Sequence, residues 1–142
     1  MRQVLFYDSV DDDALKFAVI ASRHDGKWVF CRKKGRNTYE IPGGHRENGE
    51  NIEATARREL YEETGAARFR LTPVCVYGVR EESGEEEFGM LYFAEIQEFF
   101  ALPDFEMERI DFFDSAPDDL SYPDIQPALL QRVQESLQDW PR

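Results

Sequence analysis

Three glutamates, Glu59, Glu62 and Glu63, stand within one short run of the chain. The segment from Asn51 to Thr64 contains neither proline nor glycine and reads as a helix, which sets these carboxylates at i, i+3 and i+4 on one face. Like charges so placed repel one another unless a positive charge sits among them. A hard divalent cation that takes several oxygen ligands meets that need, Mg²⁺ first and Mn²⁺ as the alternative. A glutamate-rich helix is more often a solvated surface, so the surroundings decide. Here two glycines, Gly43 and Gly44, precede the helix and leave bare backbone that can approach a metal or a phosphate closely.

The opposite helix face carries Ile52, Ala56 and Leu60 at i, i+4 and i+8, a stripe that can pack on a sheet. Asn51 suits an N-cap, and Gly65 suits the left-handed position that ends a helix. From Gly44 the chain reads Gly, five residues, Glu50, seven residues, Arg58-Glu59-Leu60, one residue, Glu62-Glu63, one residue, Gly65. Residues 44–66 thus resemble the Nudix box, GX5EX7REUXEEXGU, at every fixed position, with Ala66 a small final aliphatic. Tyr39-Glu40-Ile41-Pro42 before the glycines is similar to the (W/Y)xxPGG lead-in of MutT-type members.

The resemblance implies hydrolysis of a nucleoside diphosphate linked to a further moiety, by attack of water on a pyrophosphate phosphorus. The substrate it implies is a small nucleotide. The lead-in and size are most like the MutT-type nucleoside triphosphate diphosphatases, whose substrates include 8-oxo-dGTP. An ADP-sugar, a dinucleoside polyphosphate or a 5′-triphosphate RNA end would also satisfy the family's chemistry. Carried over residue by residue, Glu59, Glu62 and Glu63 hold Mg²⁺, with the Gly43 carbonyl as a further ligand. Glu59 and Glu63 belong to the catalytic set with Arg58, which pairs with Glu50 to fix the helix entry; Gly65 closes the helix. Glu106 adds an acid from a later strand, and Asp104 or Glu108 could take its place. Arg32, and after it Lys33, touches substrate phosphates, and Gly44 and Glu40 line the substrate. The asparagine that reads oxidised guanine in such enzymes falls near Ile125, flanked here by Asp124 and Gln126. Non-catalytic regulators of this family usually lose a box glutamate, and none is lost here.

The whole chain sets the frame. Its 142 residues, 42% hydrophobic and 13% aromatic, suit one domain over residues 1–142 with a sizeable core. A net charge of −12 repels polyanions, which makes duplex nucleic acid a poor partner. No apolar run is long enough to span a membrane, and two cysteines in apolar contexts read as buried free thiols, so the expected compartment is the cytoplasm. The expected state is a monomer or a homodimer.

The remaining elements must position the acids. Strands are expected over residues 3–7, 16–24, 27–33, 67–80, 88–96 and 106–113, with Asp25-Gly26 turning a hairpin. Residues 97–105 read as a loop, and 81–87 as an acidic loop whose Glu85, Glu86 or Glu87 is a candidate extra ligand or base. Phe6, Tyr39, Phe88 and Tyr92 could stack on a base, with core packing the safer reading for most of them, and His24 reads as a surface residue. A closing helix over 124–139 carries Leu129, Leu130, Val133 and Leu137 on one side, with Trp140 packing beyond it. The order is α+β. The resemblance implies more: an α/β/α sandwich, with a mixed sheet between the box helix and the C-terminal helix.

Overall fold

The computed structural model describes residues 1–138, so Trp140 lies outside the described residues. Strands β1 (Gln3–Tyr7), β2 (Leu15–His24), β3 (Lys27–Lys33), β4 (Tyr39–Glu40) and β5 (Gly43–His45) precede helix α1 (Ile52–Thr64). Strands β6 (Ala66–Arg80), β7 (Glu86–Phe99) and β8 (Met107–Phe113) follow, and helix α2 (Gln126–Gln138) closes the described chain.

The strands form one mixed sheet in the order β1-β6-β7-β2-β3-β4, with β5 added to β2 and β8 to β3. The central pair, β2 and β7, is parallel; the others are antiparallel. One edge of β2 forks. Phe17–Val19 pair with β5, while Ser22–His24 pair with β3 across the Asp25-Gly26 turn. Between the two branches the Ile20 N–H donates to the Pro42 carbonyl at 2.8 Å. The fork therefore clamps the Pro-Gly-Gly lead-in against the middle of the sheet.

Alternation along the central strands fills both faces. Ala18, Ile20, Val29, Tyr92, Ala94 and Ile96 meet Ala56 and Leu60 of α1 on one side. Ala21, Trp28, Phe30, Leu91 and Phe93 meet Leu129, Leu130 and Val133 of α2 on the other. Leu60 is fully buried, a burial worth about 1.5–3 kcal/mol. The result is the expected sandwich around a mixed sheet.

Helix α1 ends where its caps dictate. The Asn51 side chain accepts from the Ala54 N–H at 2.8 Å. Gly65 stands at φ +78°, its N–H bonded to the Tyr61 carbonyl at 2.8 Å.

Several boundaries move. Strand β7 continues through Phe99, where a loop was expected, because β6 supplies an antiparallel partner as far as Ala66. Strands β4 and β5 have no local signal and exist through their partners. Strand β8 begins at Met107, leaving Glu106 just outside it.

Candidate active site

Both glycines of the lead-in are required by what they touch. The Gly43 N–H donates to Glu63 Oε1 at 2.8 Å, tying the lead-in to α1. A side chain on Gly44 would place its Cβ 2.4 Å from the Glu59 carboxyl carbon. Gly44 thus leaves the space that the Glu59 carboxylate fills.

Arg58 is the hub of the acidic face. Its Nε donates to Glu50 Oε2 at 2.5 Å and its Nη2 to the His45 carbonyl at 3.0 Å. Its Nη1 donates to Glu59 Oε1 at 2.6 Å and lies 3.5 Å from Glu62. Glu50 also accepts from the Thr55 hydroxyl at 2.9 Å. Its hydrogen bond from Arg58 holds the Glu50 carboxyl down to about 2, and the same bond raises Arg58.

Burial works in the opposite direction on the other acids. It raises Glu59 against the pull of Arg58, and it pushes Glu63 up to about 9, with Glu59 and Glu40 adding to the rise. Glu63 is 5% exposed.

Does this set suit a divalent cation? The donors are hard carboxylate oxygens, and a buried carboxyl among other acids is relieved by positive charge. The chemistry fits. The cage is not closed, however: among the described residues no three His, Cys, Asp or Glu side chains stand together as a ready metal cage. Arg58 holds Glu59 and borders Glu62, and the Gly43 N–H holds Glu63.

The acids open into a cavity of about 560 Å³. Glu59, Glu63, Gly43, Gly44, His45, Lys33, Glu40 and Glu106 all line it. Phe17, Val19, Tyr77, Val79, Ile125 and Leu129 give it apolar walls, with Arg2, Glu81, Glu87 and Tyr122 also at its surface. Glu62 does not line it.

Of the two basic candidates the cavity takes Lys33 and leaves out Arg32. The Arg32 guanidinium pairs with Glu108 at 3.1 Å and lies over the Tyr39 ring. Lys33 Nζ lies 3.9 Å from Glu40 and 3.8 Å from Glu106. Adjacent strand positions point to opposite faces, so only one of the pair can face the site.

Glu106 lines the cavity, whereas Asp104 is engaged with Lys34 and Glu108 with Arg32. In the acidic stretch Glu87 reaches the cavity, while Glu86 is bound to the Tyr7 hydroxyl at 2.6 Å and to Arg80.

Several expectations are corrected. None of Phe6, Tyr39, Phe88 and Tyr92 lines the cavity; Phe17, Tyr77 and Tyr122 supply its rings. Tyr92 is buried in the core against α1, and the Tyr39 hydroxyl is spent on Asp111 at 2.6 Å. His24 is not a free surface group: its Nδ1 is 2.8 Å from the Ile96 carbonyl, and its ring meets Phe99 edge-on. Asp124 is held by Arg2 through two contacts at 3.0 and 3.1 Å, and Gln126 accepts from the Ile41 N–H at 2.8 Å. Sequence reasoning missed Arg2, which lies far from the box in the chain and carries no motif.

A carboxylate-rich cleft with a lysine in its wall, built on a helix beside a glycine pair, has the parts that phosphate anhydride chemistry uses. Residues 13–132 match the NUDIX domain, and the chain belongs to that family. It is a Nudix hydrolase, and hydrolases of this family use divalent metal cations.

YtkD of Bacillus subtilis (strain 168), provisionally described as an 8-oxo-dGTP diphosphatase, is 34% identical over 122 residues, covering 84% of this chain and 75% of YtkD. The ADP-ribose pyrophosphatase of the same organism is 41% identical over 64 residues, covering 42% of this chain and 35% of that protein. Among solved structures, a mutant form of the Bacillus subtilis pyrophosphohydrolase BsRppH superimposes with a TM-score of 0.76 at 28% identity, covering 99% of this chain and 93% of that one.

Proposed function

We propose that this protein is a Mg²⁺-dependent pyrophosphohydrolase that cleaves a nucleoside triphosphate to the monophosphate and pyrophosphate. The observation that carries the reading is the joining, in one cavity, of Glu59, Glu63, Gly43 and Gly44 with the Lys33 ammonium. YtkD, similar over most of this chain, points to the same substrate class.

Glu59, Glu62, Glu63 and the Gly43 carbonyl would hold the cation, with Glu106 as a further ligand. When bound, the cation polarises a phosphoryl oxygen and acidifies a water. Arg58 holds Glu59 in position and is itself anchored by Glu50, so the helix entry and the acidic face move as one unit. Lys33 meets a non-bridging phosphate oxygen, and Glu59 or Glu63 orients the attacking water. The apolar walls take the nucleoside and keep bulk water from it. Of the two residues beside the position of the guanine-reading asparagine, Asp124 pairs with Arg2, while Gln126 bonds Ile41 and also lines the cavity.

Two buried free thiols, Cys31 and Cys75, fit a reducing compartment such as the cytoplasm. No helix among the described residues is long and apolar enough to cross a membrane.

The test is to incubate the pure protein with Mg²⁺ and dNTPs, 8-oxo-dGTP, ADP-ribose, Ap4A or triphosphate-ended RNA, and to resolve the products. Monophosphate plus pyrophosphate from a free triphosphate is expected. Turnover confined to another member of the panel would overturn the substrate, and silence on all of them the reaction.

A further inference from the structure

Of the cavity-wall carboxylates outside the acidic helix face, one is buried. Glu40 ends β4, is 5% exposed, and lines the cavity. Its Oε2 is fully buried without a hydrogen-bond partner. Burial raises its pKa, while Lys33 and then a hydrogen bond from the Ser121 hydroxyl pull it down; that hydroxyl also lies 2.7 Å from that of Thr38 and can accept from it. Lys33 Nζ, at 3.9 Å from Glu40 Oε1 and 3.8 Å from Glu106, is beyond hydrogen-bond distance of both. A cation and a buried anion thus stand side by side in the wall, the one with donors to spare and the other with an acceptor to spare. Leaving such an acceptor unmet costs free energy, and a ligand donor removes that cost.

The partner's chemistry follows from what each part of a nucleotide offers. Phosphate oxygens are acceptors, so a phosphate suits Lys33 and is repelled by Glu40. Glu40 needs a donor. A nucleotide's donors are its sugar hydroxyls and the N–H groups of its base. Glu40 and Lys33 both lie close enough to act electrostatically on Glu63, one of the acids that the reading above gives to the cation. The sugar is the part of a nucleotide next to its phosphates, and the base lies beyond it.

We propose that Glu40 is a specificity residue that accepts a hydrogen bond from a hydroxyl of the substrate's sugar while the neighbouring Lys33 takes a phosphate oxygen. This rests on the nucleotide reading above. It divides the polar wall into a phosphate subsite and a sugar subsite, apart from the glutamates of α1. The pairing also suits an otherwise acidic cleft, because the hydroxyl brings no charge.

The test measures kcat and KM on a ribonucleoside triphosphate, its 2′-deoxy form and its 2′,3′-dideoxy form, for the wild type, Glu40→Gln and Glu40→Leu. A hydroxyl donating to a carboxylate predicts that wild-type kcat/KM drops about 10- to 100-fold at the step that removes it, mainly through KM. Loss at the first step assigns the 2′-hydroxyl and loss at the second the 3′-hydroxyl. In Glu40→Leu that step shrinks to within about twofold, and Glu40→Gln, which keeps an acceptor but no charge, falls between. Melting temperatures confirm that each variant is folded; if the leucine variant is not, the glutamine variant decides by the same measure. Two results with the variants overturn the proposal. One is a step of equal size in wild type and variants. The other is a uniform fall in kcat on all three nucleotides with loss of the acidic limb of the pH–rate profile, which would make Glu40 a base. A wild type that is active but indifferent to the hydroxyls sinks this proposal alone; a wild type inactive on every triphosphate sinks the nucleotide reading and this one with it.

Discussion

Glu63 shows how one side chain can carry two demands. Its carboxyl is buried in the fold and, on the proposed reading, would also hold the cation. With the folded pKa pushed to about 9 against an ordinary 4.5, the folded protein binds the extra proton between those values. Without a divalent cation, stability should therefore fall as pH rises through that window, and Glu63→Gln should flatten the fall. Urea midpoints across pH in the presence of a chelator measure this; an unchanged slope in the variant would remove Glu63 as the cause. Glu50 has the opposite sign. Its depressed value, about 2, adds stability above pH 4.5 that is lost as pH falls toward 2. For catalysis, Glu62→Gln or Glu63→Gln should cut kcat by about 10²-fold or more with a near-native melting temperature. A variant with almost normal turnover would end the assignment of that residue.

At the scale of elements, the site depends on how α2 meets the lead-in. Gln126 opens α2 and accepts from the Ile41 N–H at 2.8 Å, two residues before the glycine pair. Gln126→Ala leaves that buried N–H unmet and should cost about 1–3 kcal/mol. Because Ile41 sets Gly43, the same change should raise the nucleotide KM; denaturant unfolding and steady-state kinetics on one preparation check both. Strand β5 exists for a similar reason. Its three residues have no strand signal of their own, yet β2 offers them an edge, and the Gly43 N–H that remains reaches Glu63. A side chain at Gly43 would bring its Cβ to 2.6 Å from the Ala18 carbonyl, so the sheet itself demands a glycine there.

The whole molecule carries a net charge of −12, yet the proposed substrate is an anion. The Lys33 ammonium and a bound cation would act over short range, while the surface field repels at long range. Longer polyanions meet more of that field. Raising monovalent salt from about 20 to about 150 mM should therefore leave kcat/KM on a free triphosphate little changed and raise it on a triphosphate-ended RNA. A steep fall with salt on the RNA would instead reveal a local basic track.

The sequence by itself determined the acidic helix, its two caps, its apolar stripe and the family. All of these are local, because spacing at 3.6 residues per turn decides which side chains share a face. The unbroken apolar run from Phe17 to Ala21 likewise announced a strand covered on both faces. Only the tertiary structure decided what crosses the chain. It chose Lys33 over Arg32 and Glu106 over Asp104 and Glu108, because pleat direction and ion-pair partners are set by neighbouring strands. It replaced the expected rings with Phe17 and Tyr77, and it brought Arg2 to the cavity from the far end of the chain. It also showed that Arg58 ties the helix acids together, leaving Glu40 as the carboxylate with an unmet acceptor. No periodicity encodes such contacts, since they depend on where separate elements meet.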